Sequence, residues 1–395
     1  MTSKERHEAR YQRRKTRRRE RRQQRCDALG GIPGVFAYHK THRSGLKCCN
    51  GERWKFSVQR HEVHLFSGTA VKCKKIKKGV YRFSPCTHFL LRERGKIRPI
   101  DAPRVGDRQV EKVFSQEVLY PLYRPFMIYN NGASIKGKGL AFARKQLKKE
   151  IAEHFRRYGR AGGMIFTDGK GFFPNAPHWK IKQMHERYIL DGALCSFADA
   201  VVDTMPNKVG MAIGIEPSQL EMVAMPSDMD NHIKAQRGAK GYGHYMDDFQ
   251  RILKPDENVR EELRDMREQA DKNGIILNAS KTVVIPFGKN FVFCKARYHI
   301  TETGHIVVRA NRKAMQRDRR KLRAFRRKID AGEMTPDDLW TSVNGMLAYL
   351  KQFDEHKNIL RLRRMFFALF GFSCENYKSF KEGAKRHGLY HDQAL

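Results

Sequence analysis

The stretch Tyr242–Gln250, YGHYMDDFQ, sets two aspartates side by side among apolar and aromatic residues. Apolar runs on either side of a short polar centre read as a tight hairpin, with Asp247 and Asp248 at its turn. Adjacent carboxylates repel, and each raises the other's pKa. A divalent cation removes that cost, and Mg2+ takes oxygen ligands, usually one or two carboxylates together with phosphate oxygens. A third carboxylate is then expected from elsewhere in the chain. Asp168 fits, because it closes a short buried strand, Met164–Phe166, through Thr167, and neighbouring strand ends can meet in one sheet. Taken alone, two acids at a turn are an ordinary solvated turn, so the surrounding sequence has to decide.

Composition narrows the partners. The chain has 395 residues, 40% of them hydrophobic, enough for a packed core in one large or roughly two to three ordinary domains. A formal net charge of +37 makes a polyanion the expected partner, nucleic acid ahead of a membrane surface. No apolar run approaches the ~20 residues that span a bilayer, and no apolar segment follows the charged N-terminus, so neither a membrane partner nor secretion is expected. The cysteines (Cys26, Cys48, Cys49, Cys73, Cys86, Cys195, Cys294 and Cys374) are scattered, unlike a secreted disulfide framework, and point to a reducing cytoplasm. Cys48, Cys49, Cys73 and Cys86 with His61 or His64 match no compact zinc spacing, so incidental thiols are expected.

Residues 1–25 carry twelve Lys and Arg and no core-forming face. They read either as a solvated tail or as an arm that turns helical on RNA. LGGIPG (29–34) is a break, and 35–88 gives a mixed pattern. FLLRERGKIRPIDAP (89–103) reads as a hairpin turning at Gly95. Asp107–Tyr120 has helical spacing with Pro121 as its stop, ASIKGKG (133–139) is a basic glycine loop, and Leu140–Tyr158 is an amphipathic helix. Helices are expected over His178–Thr204, from GMAIGIEPSQLEM to about Ile233, and over Asp256–Asn273. Strands are expected over Ile275–Pro286 and Phe291–Arg309, the latter folded back at Thr303–Gly304. Beyond Asn311 the chain reads as helical: a basic Ala314–Ile329, a helix N-capped by Thr335 with Pro336 first, and Leu360–Phe372. Trp340 and the aromatics near Phe366 are expected in a core, and the tail gives little signal.

YMDDF, with FTDGKGFF upstream and a glycine–serine turn between them, is a specific order. From about Phe89 to about Arg309 the chain resembles a reverse transcriptase. The resemblance implies an α+β right hand with fingers, a palm of antiparallel sheet packed on helices, and a helical thumb. On this chain the parts are a basic N-terminal arm (1–34), an N-terminal extension (35–84), fingers (85–163), palm with fingers elements (164–309), a basic helical thumb (310–372) and a C-terminal tail (373–395). The implied activity is RNA-directed DNA polymerisation by two-metal nucleotidyl transfer. Asp168 and Asp247 would hold two Mg2+ ions, with Mn2+ as a substitute and Asp248 in support.

The resemblance also implies a nucleotide site. Backbone amides at Gly171 and Phe172 would cradle the triphosphate, and Phe173 would stand against the sugar as a gate favouring dNTPs. Lys96 and Arg98 of GKIRPI would lie along the triphosphate. Lys281, in LNASKT, resembles the late palm lysine that protonates departing pyrophosphate. Surface charge is the plain alternative for these three cations. FVFCKARYHI resembles the primer-grip hairpin. The third motif places Ile213, Gly214, Ser218 and Gln219 at the incoming nucleotide. Many family members read QGxxxSP there, whereas this chain reads IGxxxSQ, which resembles the enzymes of bacterial diversity-generating retroelements. Ile213 has no polar side chain to check the new pair, so low fidelity is expected, worst opposite template adenine.

The implied partners are a template RNA, a cDNA–primer duplex and dNTPs, beside a small accessory protein or a structured noncoding RNA. Neither a ribonuclease H acid cluster after the thumb nor a C-terminal Cys/His endonuclease pattern is visible. Asn175–His178 falls one residue short of the retron NAxxH signature, and Thr301–Gly304 is similar to the retron VTG triplet. A retron or antiphage-defence enzyme would share this active site and stays open. A non-catalytic, maturase-like RNA-binding scaffold is the reading from another class, and three crowded acids argue against it.

Overall fold

A computed structural model gives the fold and describes residues 2–93 and 95–390. Arg94, in the tip of the expected hairpin, and residues 391–395 of the expected tail lie outside them. Among the described residues the strands are β1 Thr87–Glu93, β2 Lys96–Ala102, β3 Gly163–Asp168, β4 Tyr242–Tyr245, β5 Asp248–Leu253, β6 Val283–Pro286, β7 Phe291–Phe293, β8 Ala296–Ile300 and β9 Ile306–Ala310. They form a β1–β2 hairpin, a sheet in the order β4–β5–β3–β6, and a β7–β8–β9 meander. Two compact units emerge. One comprises Met1–Gly139, Ile165–Arg251 and Glu257–Val283; the other comprises Leu140–Met164, Ile252–Asp256 and Val284–Leu395.

The first unit opens with an uninterrupted helix, Ser3–Asp27, started by a capping box between Thr2 and Glu5. The helix's 25 residues contain neither Gly nor Pro and are rich in Arg and Gln, good helix formers. The unpatterned stretch that follows is helical too, over Gly31–Val35, Tyr38–Cys49, Phe56–Val63 and Leu65–Lys77. Its cysteines blurred the periodicity because Cys48, Cys49 and Cys73 serve as small buried apolar residues. All eight cysteines are free thiols.

Pro121 does not stop its helix. Val105–Phe114 runs into a π turn, Ser115–Leu119, and the chain continues as helix through Tyr120–Tyr123. The widened turn lets the Tyr120 amide donate to the Ser115 carbonyl, which rearranges the ladder where proline lacks an N–H. The long helix expected up to Ile233 is likewise divided, into Glu216–Ala224, Ser227–Asn231 and a π turn His232–Gln236. The core of this unit takes in Ile165 and Phe166 of β3 together with Phe249, Met222, Val223 and Met229, all buried. Most of the expected strand over 275–282 is instead a single bridge at Leu277 and a 3-10 turn, Ala279–Lys281, ahead of β6.

The second unit holds the helix Leu140–Tyr158 where its spacing placed it. Phe291–Arg309 is a three-stranded meander: FVFCKARYHI forms the β7–β8 hairpin, where Cys294 and Lys295 both adopt positive φ, and the chain folds back again at Thr303–Gly304 into β9. Helices Arg312–Asp330, Pro336–Leu350 and His356–Phe370 follow, the second started by a Thr335–Asp338 capping box. The tail adds a helix the sequence did not announce, Tyr377–Arg386, capped by Asn376. It exists because Phe380 is fully buried against Trp340, Phe366 and Phe372. Among the described residues no helix is long and apolar enough to cross a membrane.

Candidate active site

Two strand ends meet. β3 is buried over its whole length and delivers Asp168, 7% exposed, at its end. β4 and β5 pair antiparallel with Tyr245 opposite Asp248, which leaves Met246 and Asp247 as a two-residue turn. The Gly169 amide donates to the Asp247 carbonyl at 2.9 Å, so the two aspartates sit on bonded backbone. Across β3's end, the Asn278 amide donates to the Asp168 carbonyl at 2.8 Å, and this brings in the turn that carries Lys281.

The electrostatics are those of crowded acids with one cation among them. Burial pushes the Asp247 carboxyl above its usual range, and the neighbouring Asp168 adds to this; Lys281 and Lys96 oppose it. The Lys281 ammonium bonds to Asp168 Oδ2. That bond, with the fields of Asp168, Asp247 and Asp248, raises its pKa above an ordinary lysine's. Asp168 Oδ1 is buried with no hydrogen-bond partner. An orphaned carboxylate oxygen beside a carboxyl already pushed up by burial suits a hard divalent cation, which satisfies the first and neutralises the second. Asp248 is exposed. Among the described residues no three His, Cys, Asp or Glu side chains form a ready ligand set. The fit is therefore to two carboxylates completed by substrate oxygens.

The turn itself is held from beneath. Met246 has φ +55°, unusual for a residue with a side chain, in a slot of a two-residue turn that glycine usually fills. His244 Nδ1 donates to the Met246 carbonyl at 3.1 Å, and its Nε2 donates to Asp230 Oδ2 at 2.9 Å. The Tyr242 hydroxyl donates to Asp230 Oδ1 at 2.8 Å. Burial alone would lower the His244 pKa, but Asp230 and these bonds raise it. With a carbonyl on one side and a carboxylate on the other, both ring nitrogens carry protons. Asp230 and the His244 side chain are fully buried. Sequence reasoning missed this Tyr242–Asp230–His244 network. The available signal was His244, a titratable residue on a strand whose neighbours are core.

The remaining expected site residues are placed as follows. Lys96 and Arg98 are exposed on β2, and Arg98 pairs with Glu93 across the hairpin at 3.0 Å. Gly171 has φ +56°, and a Cβ there would come within 2.7 Å of the Asn175 amide. Phe172 is buried and packs under Gly169, while Phe173 is half-buried at a steep angle to it. The Ile213 carbonyl accepts from the Asp101 amide at 2.9 Å, tying the third motif to β2. At Gly214 (φ +128°) a Cβ would lie 2.5 Å from the Asp101 carbonyl oxygen, so only glycine fits. Ser218 is fully buried with its hydroxyl unpartnered. Gln219 is exposed and donates to Ser134 Oγ at 2.7 Å.

The β4–β5–β3–β6 sheet thus brings two carboxylates to neighbouring strand ends, and the third motif is tied to β2 of the basic hairpin. Residues 76–304, more than half the chain, match the reverse transcriptase (RNA-dependent DNA polymerase) family, and the chain belongs to that family. Its enzyme class is RNA-directed DNA polymerase, on an α+β right-hand fold. Among solved structures it is similar to telomerase from Candida albicans in complex with a telomeric RNA fragment, at 12% identity over 80% of this chain and 67% of that one, TM-score 0.47. It is also similar to apo telomerase from Candida tropicalis, at 12% identity over 81% and 63%, TM-score 0.47. The chain spans roughly two thirds of the length of these telomerase chains. No curated protein matches it in sequence.

Proposed function

We propose that the protein copies a dedicated noncoding or template RNA into cDNA by nucleotidyl transfer at Asp168 and Asp247, as a low-fidelity enzyme of the diversity-generating type. The meeting of Asp168, Asp247 and Lys281 carries this reading. Residues 85–163 act as fingers, 164–309 as palm and 310–372 as thumb, with 1–34, 35–84 and 373–395 as arm, extension and tail.

Asp168 and Asp247, with Asp248 in support, would hold two Mg2+ ions, or Mn2+ in their place. The chemistry such ions supply when bound is charge stabilisation at the attacking and leaving oxygens of an in-line displacement. The chain's own residues do the rest. Lys96 and Arg98 draw in the triphosphate, and the amides at Gly171 and Phe172 cradle it. Phe173 crowds a ribose 2′-hydroxyl and selects dNTPs. The primer's 3′-hydroxyl attacks the α-phosphate, and Lys281, held among the acids, gives a proton to the departing pyrophosphate. The basic helix Arg312–Asp330 grips the template–primer backbone. Ile213 leaves the new pair without a polar check, which supports low fidelity.

Primer extension on poly(rA)/oligo(dT) with Mg2+ tests the reading. The parent chain extends, and Asp247→Asn loses roughly 10²–10³-fold or more of the rate, the scale of removing a key electrostatic group. An inert parent, or an Asp247→Asn variant as fast as the parent, overturns it.

A further inference from the structure

The helix Ser3–Asp27 takes no part in the site above. Cys26 is buried at its end, with its Sγ 3.6 Å from the Tyr188 carbonyl and accepting from the Leu190 amide at 3.3 Å. One turn earlier, Arg22 donates to the Arg187 carbonyl at 3.1 Å. From these anchors the helix runs back about 30–35 Å at 1.5 Å per residue, and residues 10–21 are all exposed. It carries ten Arg and two Lys against four acids. Among the described residues, no carboxylate pairs with Arg13, Arg14, Arg17, Arg18 or Arg19.

We propose that this helix is a preformed docking rod for structured RNA, separate from the grip on the primer terminus. Four observations choose the occupant. The helix has no apolar face, so it can neither seat in a bilayer interface nor form the apolar centre of a protein interface. Its cations cover roughly two thirds of the circumference at 100° per residue, leaving a stripe with Ala9, Gln12 and Thr16, and so broad an arc suits a groove with phosphates on both walls better than a flat anionic surface. Arg outnumbers Lys five to one, and guanidinium planes both fork onto phosphates and stack on the unpaired bases of loops and bulges. Finally, the helix holds neither Gly nor Pro and is rich in strong helix formers, which lowers the entropy cost of ordering it on a partner. RNA is preferred over DNA because the chain is an RNA-directed polymerase, and on that point the inference rests on the functional reading.

The test uses the full chain carrying Arg13→Gln, Arg14→Gln, Arg17→Gln and Arg18→Gln, since glutamine keeps helix propensity. The probes are a bulged RNA hairpin, the DNA hairpin of the same sequence, and phosphatidylserine vesicles. Four lost phosphate contacts should flatten the slope of log affinity against log salt by about 3–4 for the RNA hairpin, with affinity falling roughly tenfold or more. Extension of saturating poly(rA)/oligo(dT) should be unchanged. The four matching Arg→Lys changes should keep the slope but lose the preference for RNA over DNA, which covers the case of a misfolded Gln variant. Unchanged hairpin binding, equal loss on DNA, loss only on vesicles, or extension falling in step with hairpin binding each overturn the proposal. A parent that binds the hairpin as described but never extends a primer leaves the rod standing and sinks the polymerase reading.

Discussion

Replacing Asp230 tests what holds the turn that carries Asp247. In Asp230→Ala the Tyr242 hydroxyl loses its acceptor, and a charged, fully buried His244 loses its counter-ion. Breaking a buried ion pair on one side costs about 3–5 kcal/mol, and an orphaned buried hydroxyl about 1–3. These penalties share one site and do not simply add, so about 4–7 kcal/mol is expected, against the 5–15 typical of a whole domain. At roughly 2–4 °C per kcal/mol for a large unit, the melting temperature should drop by about 10–25 °C. Asp230→Asn makes the sharper comparison. Its carbonyl can still accept from Tyr242, and its amide can donate to Nε2 of a neutral His244, whose Nδ1 still donates to the Met246 carbonyl. That variant should lose far less stability and keep most of its rate. Asp230→Ala, if folded in the cold, should extend primers about 10²-fold more slowly, the scale of a misplaced reacting group. Thermal melts and single-turnover extension decide. The reasoning fails if Asp230→Ala melts within a few degrees of the parent, or if the Asn and Ala variants behave alike.

Three further outcomes follow from particular contacts. Ile213→Gln supplies the missing polar group, and sequencing the cDNA should show fewer errors, above all opposite adenine; an unchanged spectrum removes the argument for low fidelity. Gly214→Ala forces a Cβ to 2.5 Å from the Asp101 carbonyl oxygen at φ +128°. The strain costs about 1–3 kcal/mol, and because it pries the third motif from β2, KM for dNTP should rise; a parent-like KM counts against that role. His185 lies 2.6 Å from Asp199 and 3.1 Å from Glu221. Burial opposes its charge, but its hydrogen bonds to both carboxylates push its pKa up to about 9. A raised pKa stabilises fully below the unfolded value near 6.5 and is lost as pH climbs through about 9, roughly 3 kcal/mol in all. Urea unfolding between pH 6 and about 9.5 should show that decline, and His185→Gln should flatten it; an equal decline in both assigns the effect elsewhere.

What could be read from the sequence depended on whether neighbours along the chain supplied the reason for a structure. β3 was visible as a short apolar run, the 336–350 helix by its own Thr335 cap, and the β4–β5 turn by the paired acids in YMDDF. Each is explained within a few residues. Pro121 misled because a π turn resolves its missing N–H, and nothing local signals one. The helix Tyr377–Arg386 was invisible because Phe380 is satisfied by Trp340, Phe366 and Phe372, distant in sequence. The cysteine-rich extension had helical order, but its buried thiols did not register as core.

The same distinction runs through the site. On the proposed reading Asp168 and Asp247 face the reaction, so the chemistry restricts their identity and spacing and makes them readable. Asp230, Tyr242 and His244 face inward and are restricted only by one another. A buried ion pair is a poor device for stability, since a well-packed apolar pair of equal volume commonly serves as well or better. An apolar pair, however, has no N–H to give the Met246 carbonyl, and Met246 holds a positive φ that its own side chain disfavours. The pair's return is therefore position: it fixes a strained turn whose next residue, Asp247, accepts at its carbonyl from the amide of Gly169, the residue after Asp168, at 2.9 Å. The acids that would do the chemistry carry a signature in the chain, whereas the residues that aim them become legible only when β4, β5 and the Ser227–Asn231 helix are folded together.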